Sequence, residues 1–345
     1  TNCKHESILN GTDPVLKDNL VPVTISTDGT VKKANIYTKW YNYENKEWAN
    51  AVILKDETIT YSENEVIPES NIESYFVWIP RYKYKLFNVD NTSKIIIKPN
   101  VYSWRSMTVG NIFKNSYEYQ RSLDSHMMKN TEWGAVAYLS HSKYGINDKV
   151  RINNNSSFIT GYAKTEKPTC GWTNTNEDCN RYESTSLNQD GTYTKRYNTE
   201  VGVLASTTGN IMGIYDMSGG TNEYMAAYMS GQLGSSDITP TNYNSKYFDV
   251  YNASSTITSY QYRILGDATG EMGPFTTLKS SGSKGDKVAY ASSWYTSHSS
   301  FIDSSNPWSG RGGSYYDGVL AGIFDFHRLV GTNANNLGFR LVLTP

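Results

Sequence analysis

The chain has 345 residues, enough for one large domain or two smaller ones with a buried core and no need of covalent staples. Its 32 Lys and Arg against 33 Asp and Glu leave a net charge of -1, so no basic field exists to hold phosphates, and nucleic acid is not an expected partner. Of the residues, 28 are Tyr and 8 are Trp, rigid amphipathic side chains that cover contact area at low entropic cost and favour surface recognition.

The chain begins at Thr1 rather than Met, and reads as a mature or trimmed fragment whose signal or anchor would lie upstream. No apolar run reaches about 18 residues, so no membrane insertion is expected. Near the start, Val21, Val23 and Ile25 alternate, Asp28-Gly29 follows, and Val31 and Ile36 resume, which predicts a β-hairpin. Aromatic and β-branched residues continue this β region until an acidic, polar stretch, placing a boundary near residue 68 between an N-terminal β region (1–68) and the remainder (69–345).

The segment "SLDSHMMKNTEWGAVAYLSHSKYG" predicts a helix, with Thr131 near its start, Trp133, Val136, Ala137 and Ser140 on one face, and Gly145 beyond its end. His126 and His141 flank it at a spacing that makes no metal-ligating face. Residues 146–205 are rich in Asn, Ser, Thr, Gly and Tyr, predicting sparse regular structure with a hairpin turn at Asp190-Gly191. Within it Cys170 and Cys179 are close enough for a disulfide in an oxidising compartment, or stand as two free thiols. Further on, Gly209, Gly213 and the pair Gly219-Gly220 precede a short helical pattern over 221–229. Residues 230–305 are again loop-rich, and "GFRLVL" at 338–343 closes the chain with the alternation of a strand.

Catalytic signatures are missing. There is no Gly-x-Ser-x-Gly elbow, no phosphate-binding loop and no His-Glu-x-x-His motif. The late histidines, His298 and His327, have no close third ligand in sequence, and no Asp-rich calcium loop occurs, so neither a metal nor a cofactor is expected. Asp216 and Glu223 near one glycine turn, and Arg311 and Arg340 near the other, either form bidentate ion pairs or face solvent.

Three pieces occur in order: "NTEWGAVAYL" at 130–139, "GIYDMSGGTNEYM" at 213–225, and "RGGSY" at 311–315 closing with "GFRLVL". Together they resemble the formylglycine-generating-enzyme type of C-type lectin fold over about residues 70–345, with Gly220 and Tyr224 standing where that family's motif has Asn and Trp. The resemblance implies an α+β domain with much irregular loop structure. The oxidase members of that family use a cysteine pair near the C-terminus, and this chain has no cysteine after Cys179, so an enzyme is not expected.

The frame "NPW..RGG.Y..G..AGIF.F....G..AN..GFR.VL" resembles more narrowly the variable region of diversity-generating-retroelement variable proteins, here about residues 306–343. In that family adenines of Asn-type codons are randomised, which cannot produce Lys, Glu, Gln, Met or Trp. Residues 309–338 contain none of those five. The resemblance implies that Ser309, Gly310, Ser314, Tyr316, Asp317, Val319, Leu320, Asp325, His327, Arg328, Leu329, Val330, Thr332 and Leu337 are diversified, ligand-contacting positions. It implies a supporting frame that includes Arg311, Gly312, Gly313, Tyr315, Phe324, Phe326, Phe339 and Arg340, with the phenylalanines buried and Trp308 and Tyr315 as fixed walls. The bland reading makes Leu320, Leu329 and Val330 core residues of a twisted loop. The expected function is non-enzymatic binding of a protein or glycan on a cell or virion surface, by a protein displayed outside the cell or on a phage particle. The rival reading is a lectin or adhesin of fixed specificity, with Trp294, Tyr295 and Trp308 stacking on sugar rings.

Overall fold

A computed structural model describes residues 13–17, 19–86, 89–92, 96–99, 101–102, 107–154, 160, 197–200, 202–252, 278–280, 289–291, 297–298, 300–315, 317 and 320–344. Among them the protein is a mixed α+β structure, mostly sheet, with two α-helices. The predicted hairpin is present: β1 (Val21–Ile25) pairs antiparallel with β2 (Val31–Lys33). β1 also pairs with β3 (Asn50–Leu54), β3 with β4 (Ile72–Ile79), and β4 with a later strand, Ile96–Pro99.

The boundary expected near residue 68 therefore falls inside one sheet, between the paired strands β3 and β4. The polar stretch that marked it, around residues 55–71, is only the connection joining them. Nor does the core break there. One apolar cluster unites Leu20, Trp48 and Ile53 with Trp133, Phe326 and Leu343, and the Trp48 indole N–H donates to the Tyr144 carbonyl at 2.7 Å.

A small hairpin, β5 (Lys83–Leu86) with β6 (Val89–Thr92), leads to the strand already met, β7 (Ile96–Pro99), and to β8 (Val101–Tyr102). Helix α1 (Val109–Tyr119) follows, capped by the Thr108 hydroxyl, and buries Val109, Ile112, Phe113 and Ser116 at the i, i+3, i+4, i+7 spacing of one helical face. After β9 (His126–Met127) comes α2 (Asn130–Ser140), the helix that the sequence predicts. The Lys129 backbone N–H donates to Glu132 at its first turn. Nearly every residue of α2 is buried, which suits a helix apolar around most of its circumference.

Residues 222–229 correct the sequence reading: they form a strand, β10 (Asn222–Met229), where a helical pattern had been expected. The reason is its central position. β14 (Trp308–Gly312) pairs along one edge and β16 (Leu337–Val342) along the other, and residues on both faces are buried, so the alternation that marks a half-exposed strand is lost and Glu, Met and Ala mimic a helix. β11 (Asp249–Tyr251) pairs parallel with the end of β10, and β12 (Leu278–Ser280) forms a separate hairpin with β13 (Ala289–Ala291). The last sheet runs β15 (Gly322–Leu329), β14, β10, β16, β8, with β9 also on β16. The Cys170–Cys179 pair, the turn at Asp190-Gly191, and Trp294, Tyr295, Tyr316 and Val319 lie outside the described residues.

Candidate functional site

The C-terminal segment that drew attention in the sequence forms three of the strands around β10. A buried ion pair locks them. The Arg340 Nε on β16 lies 2.8 Å from Glu223 Oε2 and 3.0 Å from Oε1 on β10, while another guanidinium nitrogen donates to Oε1 and to the Tyr215 carbonyl, each at 2.8 Å. Among the ion pairs expected between Asp216 or Glu223 and Arg311 or Arg340, that of Glu223 with Arg340 forms. Arg311, also fully buried, instead lies over Trp133 and Phe326 and donates through Nε to the Asp325 carbonyl at 2.7 Å. Asp216 accepts from the Asn153 amide at 2.8 Å.

Gly312 and Gly313 take φ of 86° and 68°, a region that L side chains enter only with strain, and the register of β14 on β15 shifts between Arg311 and Gly312. The chain thereby leaves the ladder and turns at 313–315. That turn is closed by Asp317, whose Oδ2 accepts from the Ser314 backbone N–H and hydroxyl, each at 2.7 Å.

Burial divides the expected contact positions. Ser309, Gly310, Ser314, Asp317, Asp325 and Leu337 are buried, contrary to the expectation that they face a ligand. The cause is strand position. β14 lies between β10 and β15, so the Ser309 hydroxyl meets Asn130 Oδ1 at 3.0 Å and Gly310 abuts Leu329, while Leu337 joins the core cluster around Phe339. Leu320, His327, Arg328, Leu329 and Thr332 are half-buried, and Val330 is exposed. Leu329 packs partly against the second core cluster, so the bland reading holds for part of its surface.

Among the frame residues, Phe324, Phe326 and Phe339 are buried as expected, Arg311, Gly312, Gly313 and Arg340 are buried as well, and Tyr315 is half-buried. Trp308 is not a wall. It is fully buried, stacked on Tyr228 at 5.2 Å, with its indole N–H donating to the Leu233 carbonyl at 2.9 Å.

Two groups that sequence reasoning left without a role complete the outer edge of β15. Asp303 holds the Arg328 guanidinium, and the same carboxylate closes its own turn by accepting from the backbone N–H groups of Ser305 and Asn306. The Asp-Ser-Ser-Asn run was the signal for that turn. The backbone at 298–300 runs along β15: the Phe326 N–H donates to the His298 carbonyl at 3.0 Å, and the Ser300 N–H to the Phe326 carbonyl at 2.6 Å.

This docking brings His298 against Asp325 and His327, which lie two apart on β15 and share one face of the strand. His298 Nδ1 is 4.0 Å from Asp325 Oδ2, and His327 Nε2 is 3.1 Å from the same oxygen. The two imidazole rings lie 4.4 Å apart, centroid to centroid. Asp325 thus forms with the two histidines a trio of a kind that could hold a metal ion. Its invisibility is topological, since His298 reaches the strand only through the backbone pairing just described.

Burial raises the Asp325 carboxyl to about 6 against the attraction of His327. Burial lowers His327, but the Asp325 charge outweighs it and the imidazole ends above its ordinary value. His298 is pushed well down by burial and by His327 and Arg328. The site is chemically a carboxylate held between two imidazoles, able to take up a proton or a cation. The chain matches no protein-family model, and no curated protein is similar enough to count as a match. Among the described residues no helix is long and apolar enough to cross a membrane.

Proposed function

We propose that the protein is a non-enzymatic binder of the retroelement-diversified kind, built on a C-type-lectin-like domain of the formylglycine-generating-enzyme type and displayed on a cell or virion surface. One observation carries the reading: residues 309–338 hold none of the five amino acids that adenine randomisation of Asn codons cannot reach, within a frame of Gly, Phe and Arg residues. Burial of that frame supports it, because a buried scaffold tolerates change at the positions between its members.

The ligand would be a protein or glycan, met along the outer edge of β15 by His327, Arg328, Leu329 and Val330, with Leu320 and Thr332 beside them. These combine an aliphatic surface with a cation and an imidazole, the mixture from which binding hot spots are made.

Sequencing the 3′ end of the gene and the stretch just downstream, across a population of the source, tests the proposal. Variation confined to codons of 309–337 that face adenines in a nearby template bears it out. An invariant segment with no template turns it down and leaves a lectin or adhesin of fixed specificity.

A further inference from the structure

We propose that His298, Asp325 and His327 form a binding site for one divalent transition-metal ion of the Zn2+ class. The case rests on their geometry and not on the retroelement reading. One ligand atom from each residue can be chosen so that all lie within 4.8 Å of one another. In a four-coordinate site with metal–ligand bonds of about 2.0–2.2 Å, ligand atoms stand about 3.4 Å apart. The separations of 3.1 and 4.0 Å to Asp325 Oδ2 bracket that value and no ligand-atom separation need exceed 4.8 Å, so movements of about 1–1.5 Å close the site.

A second observation points the same way. Asp325 is fully buried, and neither of its carboxylate oxygens, including the Oδ2 that both imidazoles approach, accepts a hydrogen bond of good geometry among the described residues. A buried carboxylate oxygen left in this state is costly, and a bound cation is the partner that two imidazoles and one carboxylate are built to share. Two cations lie near it: Arg328, whose charge reaches His298, is paired with Asp303, and Arg311 donates through Nε to the Asp325 backbone carbonyl, while Asp317 adds a negative charge felt by Asp325 and His327.

Nitrogen and oxygen donors without thiolate select Zn2+, Co2+, Ni2+ or Cu2+ over Ca2+ or Mg2+, which prefer all-oxygen shells. The His327 side chain is 21% exposed, which gives the ion a path from solvent. With only three protein ligands, the ion keeps a coordination position for water or for a donor atom of whatever binds along β15. The site would then add a fixed positive charge to that edge.

The test is isothermal titration of the full chain with Zn2+ at neutral pH, beside Asp325→Asn and His327→Gln. The expected result is one tight equivalent for the wild type, weakened at least about 100-fold in both variants, since even the loss of an outer partner costs about 10- to 100-fold. His327→Gln guards against misfolding of the buried Asp325 variant. Crystals grown with Zn2+ give a measurement that needs no variant: an anomalous peak enclosed by the three side chains is expected. No tight binding by the wild type, unchanged affinity in a folded His327→Gln, or a peak only elsewhere, such as at His126 and Glu132, overturns the site.

Discussion

Glu223→Met is the sharpest perturbation of the scaffold, because it removes the charge and keeps much of the side-chain length. Arg340 then remains fully buried beside an apolar group, with the Tyr215 carbonyl still accepting from it. Removing one partner of a buried pair costs about 3–5 kcal/mol, because the other charge is left without compensation. Against a total stability of about 5–15 kcal/mol this is a large share. For 345 residues, at about 1.4 °C per kcal/mol, it predicts a fall in Tm of about 4–7 °C by calorimetry, with the free-energy loss itself read by urea unfolding. The double variant Glu223→Met with Arg340→Met removes the orphaned charge as well. It should recover most of the loss, short of about 1 kcal/mol for the hydrogen bond to Tyr215. A single-variant loss below about 1 kcal/mol, or a double variant no more stable than the single, would refute the view that this pair is desolvated and joins β10 to β16.

Two other expectations concern the binding edge and acid. Arg328→Ala with Leu329→Ala should abolish ligand capture; because Leu329 packs partly on the core, it should also cost about 1–2 kcal/mol in urea unfolding, and a loss above about 4 kcal/mol would make both residues structural. Glu132, in spite of its burial, is held at about 2 rather than 4.5 by His126 and Lys129. Its folded value being the lower one, its contribution is complete above about 4.5 and disappears as pH falls towards 2. The displacement corresponds to about 3 kcal/mol, so Glu132→Gln should flatten that limb of the stability curve; an unchanged acid limb would contradict the pairing.

Local signals were legible where one element decides its own structure. The hairpin at 21–33 has its own turn residues and alternation, and α2 has a run of helix-forming residues with Glu132 in its first turn. "GFRLVL" reads as a strand, and Gly312 and Gly313 mark backbone that leaves the ladder. Signals failed where neighbours decide. β10 looked helical because both its faces are covered. The polar stretch before residue 68 looked like a boundary because pairing between β3 and β4 is not written in either strand alone.

The same division runs through the candidate site. By itself, the sequence determined that 309–338 draws on a restricted residue set within a Gly, Phe and Arg frame, since composition is carried by the chain whatever its conformation. Only the tertiary structure decided which of those positions can meet a ligand. Ser309, Gly310 and Leu337 are enclosed by neighbouring strands, while His327 to Val330 lie at the sheet's edge. It alone put His298 beside Asp325 and His327: those two share a face of β15 by their spacing of two, and backbone hydrogen bonds from a distant segment bring His298 to them.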